Sequence, residues 1–501
     1  MSEVVAESRT EKLDPSRGVR ITDSLTNEKV PFVPLEPGRV RMYVCGLTVY
    51  DDAHIGHART YVSFDVIRRY LEYKGFDVRY VQNITDVEDK IIKAAEKAGV
   101  SHLEHSRKYT QRALGDLARI GIRDPDAFCK VTDHMDDIVA LIEEIIENGL
   151  AYVSDSGSVY FDVAKKEGYG KLSNRSVKEM LAGARVEPDP EKRNPADFAL
   201  WKAAKPDEPH WESPWGKGRP GWHIECSAMS ERLLGQPFDL HGGGRDLIFP
   251  HHENEIAQSE AAKGTDFAKY WLHTGFLNVE GEKMSKSLGN FITVRELLER
   301  HAADAVRYFY VLTHWRSPID FSEKGITEAA AALERLTRTR EELDKRVSGH
   351  EQPVDRYLAV ANAASDAEKR LFEATERFLS VFTAAMDDDF NTPEAVAALH
   401  AFAGDLRKAL SDNGHVHKAL WAYAHDAFIR AGRVLTLFQD APAEAAGDKT
   451  LDAVMQALLK IRQEARERKD WATSDAIRDR LAEVGIEVQD EKTGATWRRA
   501  S

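Results

Sequence analysis

The sequence predicts an α/β fold in which a parallel-sheet domain is followed by an all-α helical bundle and a small mixed α/β segment. A short apolar strand at 38–49, a helical pattern that stops at Gly75 and a second strand at 76–86 are typical of a parallel α/β unit. A nearly continuous amphipathic helical pattern over 327–441 predicts the bundle. A charged helix followed by a two-stranded turn predicts the final segment, at about 450–501.

The elements between these segments follow in a simple order. A largely helical stretch covers 86–150. Residues 150–220 are irregular and rich in Pro, Gly and Trp, which indicates an insertion into the sheet domain. The segment 238–263 then returns to a strand, a glycine-rich loop and a helix.

Composition bounds the class of protein. The 501 residues suffice for about three domains, and 42% hydrophobic with 30% charged residues fits a globular chain. The N-terminus lacks a signal-peptide core and no apolar run could span a bilayer, so we expect a cytoplasmic protein with no membrane partner. Three cysteines without a CxxC pair predict free thiols. The net charge of −14 argues against non-specific coating of nucleic acid, but a local basic face could still bind RNA.

A histidine motif, His54-Ile55-Gly56-His57, stands at the predicted start of the first helix. A helix N-terminus presents free N–H groups and the positive end of its dipole to phosphate. Gly56 leaves room for a nucleotide, and the two imidazoles can donate to a triphosphate as charge develops. Two surface histidines at a helix start explain the motif about equally well. The motif therefore indicates ATP and adenylyl transfer without specifying the acceptor.

A second motif, Lys283-Met284-Ser285-Lys286-Ser287, follows in a predicted loop. Two lysines and two hydroxyls suit a pyrophosphate leaving group, although a solvated loop could have the same composition. Its occurrence after the histidine motif, in this order, makes coincidence a poor explanation. The pair is the double signature of class I aminoacyl-tRNA synthetases.

Four residues offer ligands for a metal ion. Cys45 ends a predicted strand, Cys226 follows far along the chain, and His251 and Glu255 share one face of a predicted helix at i, i+4. Two thiolates, an imidazole and a carboxylate form a reasonable zinc set. From spacing alone, two buried apolar cysteines beside an exposed polar helix are the simpler interpretation.

Seven segments together resemble the cysteinyl-tRNA synthetase family, in order from about residue 20 to the C-terminus. They read YVCGLTVYDDAHIGHAR, NITDVEDKI, KRNPADFALWK, GRPGWHIECSAM, DLHGGGRDLIFPHHENEIAQ, EKMSKSLGN and MDDDFNTPEA. The resemblance implies an ATP-dependent cysteine–tRNA ligase. It would form cysteinyl-adenylate with release of pyrophosphate and then transfer cysteine to the 3′ end of tRNA.

The resemblance also implies the site residues. One zinc ion per chain, which selects the cysteine thiol, would be held by Cys45, Cys226, His251 and Glu255. ATP, with Mg²⁺, would meet His54, Gly56, His57, His241, Gly242, Gly243, Asp246, Lys283 and Lys286. Of these, the catalytic residues would be His54, His57, Lys283 and Lys286. Cysteine would meet Gly46, Thr85, Trp222, His241 and Asp246.

The implied domains run in the same order. They are a disordered extension at 1–19, a Rossmann-like catalytic domain at 20–270 with an insertion at about 126–215, a stem-contact region at 271–326, a helical bundle at 327–441 and an anticodon-binding domain at 450–501. Basic residues interleaved with aromatics in the last domain suit unstacked RNA bases. The candidates are Arg466, Arg468, Trp471, Trp497 and Arg498. An ordinary charged helix is the alternative, because acidic residues are mixed among them.

Two rival functions share parts of this pattern. An ATP-dependent ligase that joins cysteine to an amino sugar in mycothiol synthesis would keep both signature motifs and the metal ligands. It would not need the 170 or so residues after Lys324. An inactive RNA-binding paralogue could lose these motifs, and all of them are present here. The partners we expect are tRNA, ATP and L-cysteine, with the protein acting as a monomer.

Overall fold

The structure, a computed structural model, folds into two compact units, 1–438 and 439–501. It describes residues 16–176, 190–206, 208–284, 288–349, 354, 356–411, 415–438, 455, 458–466, 468, 470–483, 486–491 and 494–499. None of the helices described is long and apolar enough to cross a membrane.

A five-stranded parallel sheet forms the centre of the first unit. Its strands, in chain order, are β3 (Arg39–Thr48), β4 (Asp77–Thr85), β5 (Ala127–Lys130), β10 (Phe238–Gly244) and β11 (Ala268–Thr274). Their spatial order is β11-β10-β3-β4-β5, so the chain builds outward from β3 in one direction and then returns to its other side. The order therefore reverses between β3 and β10, which is where open parallel sheets bind ligands beyond the carboxyl ends of their strands.

Helix α1 (Ile55–Lys74) follows β3 directly and lies largely buried against the sheet. It ends at Gly75, whose φ of 103° lies in the left-handed region that glycine adopts readily. Helices α2 (Asp89–Ala98) and α3 (His102–Ile120) then connect β4 to β5.

A separate antiparallel sheet follows helix α4 (Met135–Glu147). Its strands are β6 (Ala151–Val153), β7 (Val159–Phe161), β8 (Phe198–Ala203) and β9 (Gly218–Pro220). The sequence analysis began the insertion at about residue 126, whereas β5 pairs with β4 in the main sheet. The inserted strands therefore start at Ala151. Helices α5 (Trp222–Leu234) and α6 (Glu253–Lys263) return the chain to the main sheet.

A small three-stranded sheet continues from β11. It contains β12 (Leu277–Val279), β13 (Glu282–Lys283) and β14 (Ile319–Phe321), with helices α7 (Val294–Arg300) and α8 (Ala303–Val311) between β13 and β14. Strand β12 pairs antiparallel with β13 and parallel with β14. Because β11 extends to Thr274, the expected domain boundary at residue 270 falls inside a strand.

Five helices form the bundle that completes the first unit. They are α9 (Glu323–Val347), α10 (Arg356–Asn362), α11 (Asp366–Asp387), α12 (Thr392–Ser411) and α13 (Lys418–Val434). The turn between α11 and α12 touches the N-terminal hairpin of β1 (Arg20–Asp23) and β2 (Glu28–Pro31). There Asp389 accepts hydrogen bonds from the Thr22 N–H at 2.7 Å and the Thr22 hydroxyl at 2.6 Å.

The expected N-terminal extension at 1–19 falls mostly on residues 1–15, outside the described part of the chain. Its last residue, Val19, is buried in the core of the first unit. In the second unit, residues 458–466 are helical, and α14 (Trp471–Glu483) precedes an antiparallel pair. That pair is β15 (Ile486–Glu491) with β16 (Gly494–Arg499), which gives the unit a mixed α/β character.

Candidate active site

A cavity of about 600 Å³ opens at the carboxyl ends of β3 and β10, where the strand order reverses. Ten of the residues singled out in the sequence line it. They are Cys45, Gly46, His54, Gly56, His57, Thr85, Trp222, Asp246, His251 and Lys283. Five others lie buried behind the cavity, namely Cys226, His241, Gly242, Gly243 and Glu255. The topology therefore gathers residues that the sequence scatters over more than 230 positions.

His54 and His57 cap helix α1 reciprocally. The His57 N–H donates to Nδ1 of His54 at 3.2 Å, and the His54 N–H donates to Nδ1 of His57 at 3.3 Å. Their rings stack with centroids 3.5 Å apart. Because each Nδ1 accepts a backbone proton, the ring proton of each neutral imidazole must lie on Nε2. Burial holds the pKa of His57 well below its usual range, and the neighbouring His54 adds a smaller effect in the same direction. This ring is therefore a neutral donor.

Helix α1 points the positive end of its dipole at the cavity. Its first turn carries no acidic residue. The positive end of the helix dipole therefore adds to the two Nε2 donors, an arrangement suited to phosphate.

A hydrogen-bonded chain links three elements on the opposite wall. The Gly46 N–H donates to Oδ1 of Asn83 at 2.7 Å, and Nδ2 of Asn83 donates to the Thr85 hydroxyl at 3.2 Å. That hydroxyl donates to the buried carboxyl group of Glu225 at 3.3 Å, and burial raises the pKa of this group well above its usual range. An added Cβ on Gly46 would overlap the Asn83 carbonyl oxygen, so only glycine fits there. The sequence analysis found Gly46 and Thr85 but missed Asn83 and Glu225, which no motif spacing connects.

Four ligand atoms converge beside the cavity, from Cys45, Cys226, His251 and Glu255, all within 4.8 Å of one another. The two Sγ atoms are 3.8 Å apart. Nε2 of His251 lies 3.5 Å from Sγ of Cys226, and Oε1 of Glu255 lies 3.5 Å from Sγ of Cys45. Bonds of ~2.0–2.3 Å to a tetrahedral ion would separate its ligands by about 3.3–3.8 Å. These three separations fit a zinc ion, whereas Nε2 of His251 and Oε1 of Glu255 are closer, at 2.9 Å, and would have to move apart to share it.

The charges of the quartet also favour a cation. Burial alone would raise the pKa of the Cys226 thiol, but the hydrogen bond from Cys45 and the charge of His251 bring it to about 7. Against the effect of burial, His241 and His251 hold the pKa of Glu255 well below its usual range. Burial would lower the pKa of His251, but Glu255 and Cys226 raise it to about 10. In this arrangement a protonated His251 offsets the Cys226 thiolate and the Glu255 carboxylate, and a divalent cation would take over that role as the imidazole gives up its proton.

A second quartet, of Cys45, His241, His252 and Glu255, overlaps the first. Nε2 of His241 lies 2.7 Å from Oε2 of Glu255. Nδ1 of His252 lies 2.8 Å from Nε2 of His273. The first quartet suits zinc better, because it contains two thiols and because Cys45 and His251 line the cavity. His241 and His252 instead pack behind the first quartet, on the side away from the cavity.

Trp222, the first residue of α5, stacks on His251 with centroids 4.2 Å apart. The ring of His223 also contacts His251, with Nδ1 2.9 Å from Nδ1 of His251. Trp222 therefore covers a candidate metal ligand while lining the cavity.

The glycine-rich loop divides into a packed part and an open part. An added Cβ on Gly242 would overlap the Phe64 ring, and one on Gly243 would crowd His252. The expectation that Gly242, Gly243 and His241 meet ATP therefore differs from their placement, since none of the three lines the cavity. Gly244 and the exposed Asp246 do line it.

The remaining candidates lie elsewhere or outside the described residues. Lys283 lines the cavity at the end of β13, whereas Lys286 lies outside the described part of the chain. In the second unit, Arg466 and Arg468 are exposed and Trp471 is 57% exposed. Trp497 and Arg498 lie in β16, opposite Val488 and Glu487.

Three family models match the chain. Residues 31–331 match the model for the class I (C) catalytic domain of tRNA synthetases. Residues 381–439 match the DALR domain, and residues 448–498 match the anticodon-binding domain of cysteinyl-tRNA ligase. These matches fall in both folded units.

Curated relatives are similar along almost the whole length. The cysteine–tRNA ligase of Thermococcus gammatolerans is 47% identical over 96% of this chain and 99% of its own. That of Moorella thermoacetica is 48% identical over 95% and 99%. Among solved structures, methionyl-tRNA synthetase of Mycobacterium tuberculosis with methionyl-adenylate has a TM-score of 0.57 at 18% identity, over 82% of this chain and 92% of that one. This last likeness shows the fold alone.

Proposed function

Because the chain belongs to the cysteinyl-tRNA ligase family, we propose that the cavity described above is where it activates cysteine for transfer to tRNA. The activity of the family is ATP-dependent cysteine–tRNA ligation. The observation that carries the proposal is the convergence of the His54–His57 pair, the Cys45 thiol and Lys283 on one cavity. Hydrogen-bond donors suited to phosphate and a centre suited to a thiol then line one cavity.

We assign one zinc ion to Cys45, Cys226, His251 and Glu255, on the ligand separations and charges given above. When bound there, zinc supplies a Lewis acid that prefers thiolate to hydroxyl, which separates cysteine from serine. Cys45 and His251 face the cavity, so the ligand set presents one side to the substrate. His241 donates to Glu255 and so orients it, rather than touching substrate.

Thr85 is suited to hold the ammonium group of cysteine. Its hydroxyl proton is directed to Glu225, and its oxygen already accepts from Asn83. The remaining lone pair can accept from an ammonium. Asp246, exposed in the cavity, offers a second acceptor to the ammonium or to a ribose hydroxyl. Gly46 and Trp222 shape the wall beside them.

ATP is proposed to lie between the start of helix α1 and β13. The Nε2–H groups of His54 and His57 and the helix N-terminus stabilise charge on the phosphates as the cysteine carboxylate attacks the α-phosphate. Lys283 lines this end of the cavity and is proposed to face the departing pyrophosphate, Lys286 remains a candidate from the sequence, and Mg²⁺ accompanies the nucleotide. A hydroxyl of the terminal tRNA ribose then attacks the acyl group, so no protein nucleophile is needed.

The second unit is proposed to recognise the tRNA. Its match to an anticodon-binding domain supports this role, and the exposed Arg466, Arg468 and Trp471 are suited to phosphates and unstacked bases. Trp497 and Arg498 remain candidates from the sequence. Because one chain supplies every residue of the proposed catalytic site, a monomer suffices.

The test is aminoacylation of total tRNA with each of the twenty amino acids in turn. We expect charging with cysteine alone, and charging with another amino acid would contradict the proposal. Pyrophosphate exchange with cysteine separates the rivals, because an inactive paralogue would show none. Ligation of cysteine to an amino sugar, without charging of tRNA, would instead favour the amino-sugar ligase.

A further inference from the structure

Arg59 is a buried cation beside the histidine motif, with 2% of its surface exposed. It follows His57 by two residues on helix α1 and does not line the cavity. Its neighbour Thr60 does line the cavity, and the Thr60 hydroxyl lies 3.0 Å from that of Thr274 at the end of β11. The Arg59 side chain extends from α1 toward the segment that follows β11.

The guanidinium of Arg59 donates to four backbone carbonyls in two separate segments. Nη1 donates to Gly275 at 2.8 Å and to Phe276 at 2.7 Å, in the link from β11 to β12. Nη2 donates to Ser317 and, at 3.4 Å, to His314, in the link from α8 to β14. One side chain thus joins the start of α1 to the entries of two strands.

Those two strands support β13, on which the second signature motif begins. β12 and β14 pair in parallel, with Leu277 opposite Ile319, and β13 with its Lys283 pairs back onto β12. The position of Lys283 relative to His54 and His57 is therefore set where β12 and β14 begin. The hydrogen bonds of Arg59 are made to the two links that lead into these strands.

The two links are packed too closely to be held by side chains of their own. An added Cβ on Gly275 would overlap the Ser317 carbonyl oxygen. The Gly275 N–H donates to the Trp315 carbonyl at 2.9 Å, and the Ile319 N–H donates to that of Phe276 at 2.9 Å. The planar fork of a guanidinium can satisfy several carbonyls at fixed angles, which a lysine ammonium cannot do at the same positions.

The charge of Arg59 remains in place at neutral pH. Burial lowers the pKa of this guanidinium to about 10, and Tyr310 opposes that change. The Tyr310 hydroxyl itself donates to the Ile55 carbonyl at 2.9 Å, in the first turn of α1. The cation is therefore held by carbonyl dipoles at the junction of the helix and the two links.

We propose that Arg59 is a positioning residue for adenylate formation, which fixes the distance between the histidine pair and the strand that carries Lys283. It touches neither cysteine nor ATP. The inference rests on the proposed function, because it assumes that both signature motifs act on one ATP molecule. Its consequence is that loss of Arg59 lowers the turnover of the first step and leaves the binding of cysteine intact.

The experiment is cysteine-dependent ATP–pyrophosphate exchange by the full chain, with Arg59→Lys and Arg59→Met. We expect kcat to fall ~100-fold for Arg59→Met, because a misplacement of about 1 Å can cost that much, and ~10-fold for Arg59→Lys. The KM for cysteine and the zinc content should stay within about threefold of those of the parent chain. Arg59→Lys keeps the charge, so it remains informative if Arg59→Met fails to fold.

Arg307→Met is the matched control. Arg307 lies on α8, is 4% exposed, and burial likewise lowers its pKa to about 10. It pairs with Asp304 and does not line the cavity. Its loss removes an equally buried guanidinium, so we expect lower stability but unchanged kcat.

The outcomes separate cleanly. Full kcat in both Arg59 variants would overturn the inference, as would an equal loss of kcat in Arg307→Met. A KM for cysteine that rises while kcat holds would also overturn it, since that would place Arg59 in substrate binding. Absence of exchange in the parent chain would instead contradict the proposed function.

Discussion

Cys226→Ser tests the assigned metal centre most directly. The change replaces one of two thiols in the quartet and leaves the other three ligands and the surrounding core in place. A closed four-ligand zinc site is worth about 10–16 kcal/mol, so one ligand in four accounts for about 3 kcal/mol. That corresponds to a loss of zinc affinity of ~100-fold. A hydroxyl has no comparable acidity, so the serine would recover little of it.

The chain offers a matched control in Cys129→Ser. Cys129 is buried like Cys226, but its Sγ lies 3.6 Å from the Gln82 carbonyl oxygen and it belongs to neither candidate quartet. Zinc affinity is measured by competition with a chromophoric chelator on the folded chain. We expect Cys226→Ser to lose zinc and affinity for cysteine together, while ATP binding survives and Cys129→Ser keeps both. Equal zinc affinity in the two variants would refute the assignment of the metal to this quartet.

Three further expectations follow from the geometry. A chain ending at Phe438 should keep pyrophosphate exchange and lose tRNA charging, because the cavity lies wholly in the first unit; loss of exchange by a folded truncate would contradict this. Thr85→Val should raise the KM for cysteine ~10–100-fold with little change in KM for ATP, since valine cannot accept from the ammonium and a hydrogen bond to a charged group contributes about 1.5–3 kcal/mol; equal changes in both constants would count against the role of Thr85. Burial would raise the pKa of Asp89, but Lys202 and Arg219 bring it to about 2, so this group stabilises the fold above its unfolded pKa. That contribution should disappear as the pH falls from about 4 toward 2, and the unfolding temperature of Asp89→Asn should lack this part of the pH dependence.

Local patterns predicted the main elements and many of the site positions. The apolar strand before His54 and the glycine at the end of α1 were readable because both depend on neighbouring residues. The i, i+4 spacing likewise predicted that His251 and Glu255 share a helix face. The partnership of the two with Cys45 and Cys226 could not follow from spacing, because it depends on how the sheet brings distant segments together.

The residues that the sequence analysis missed contact the site residues in space but are separated from them in the sequence. Asn83 and Glu225 form hydrogen bonds with Thr85, and His273 forms one with His252. No periodic spacing in the sequence predicts these contacts. In the glycine-rich loop, the sequence pattern was visible but its cause was not. A glycine can be required by a neighbouring side chain or by a ligand, and in the case of Gly242 it is the Phe64 ring that excludes a Cβ.

The sheet order has a consequence for how the metal centre comes into being. During synthesis Cys45 leaves the ribosome 210 residues before Glu255, and Cys226 joins it only after the antiparallel sheet has been made. The quartet cannot exist until β10 has inserted beside β3 and α6 has packed behind it. A zinc ion therefore cannot nucleate this fold, in contrast to small zinc domains that fold around the ion. Uptake of the proposed metal would therefore follow the assembly of β3, β10 and α6 rather than initiate it.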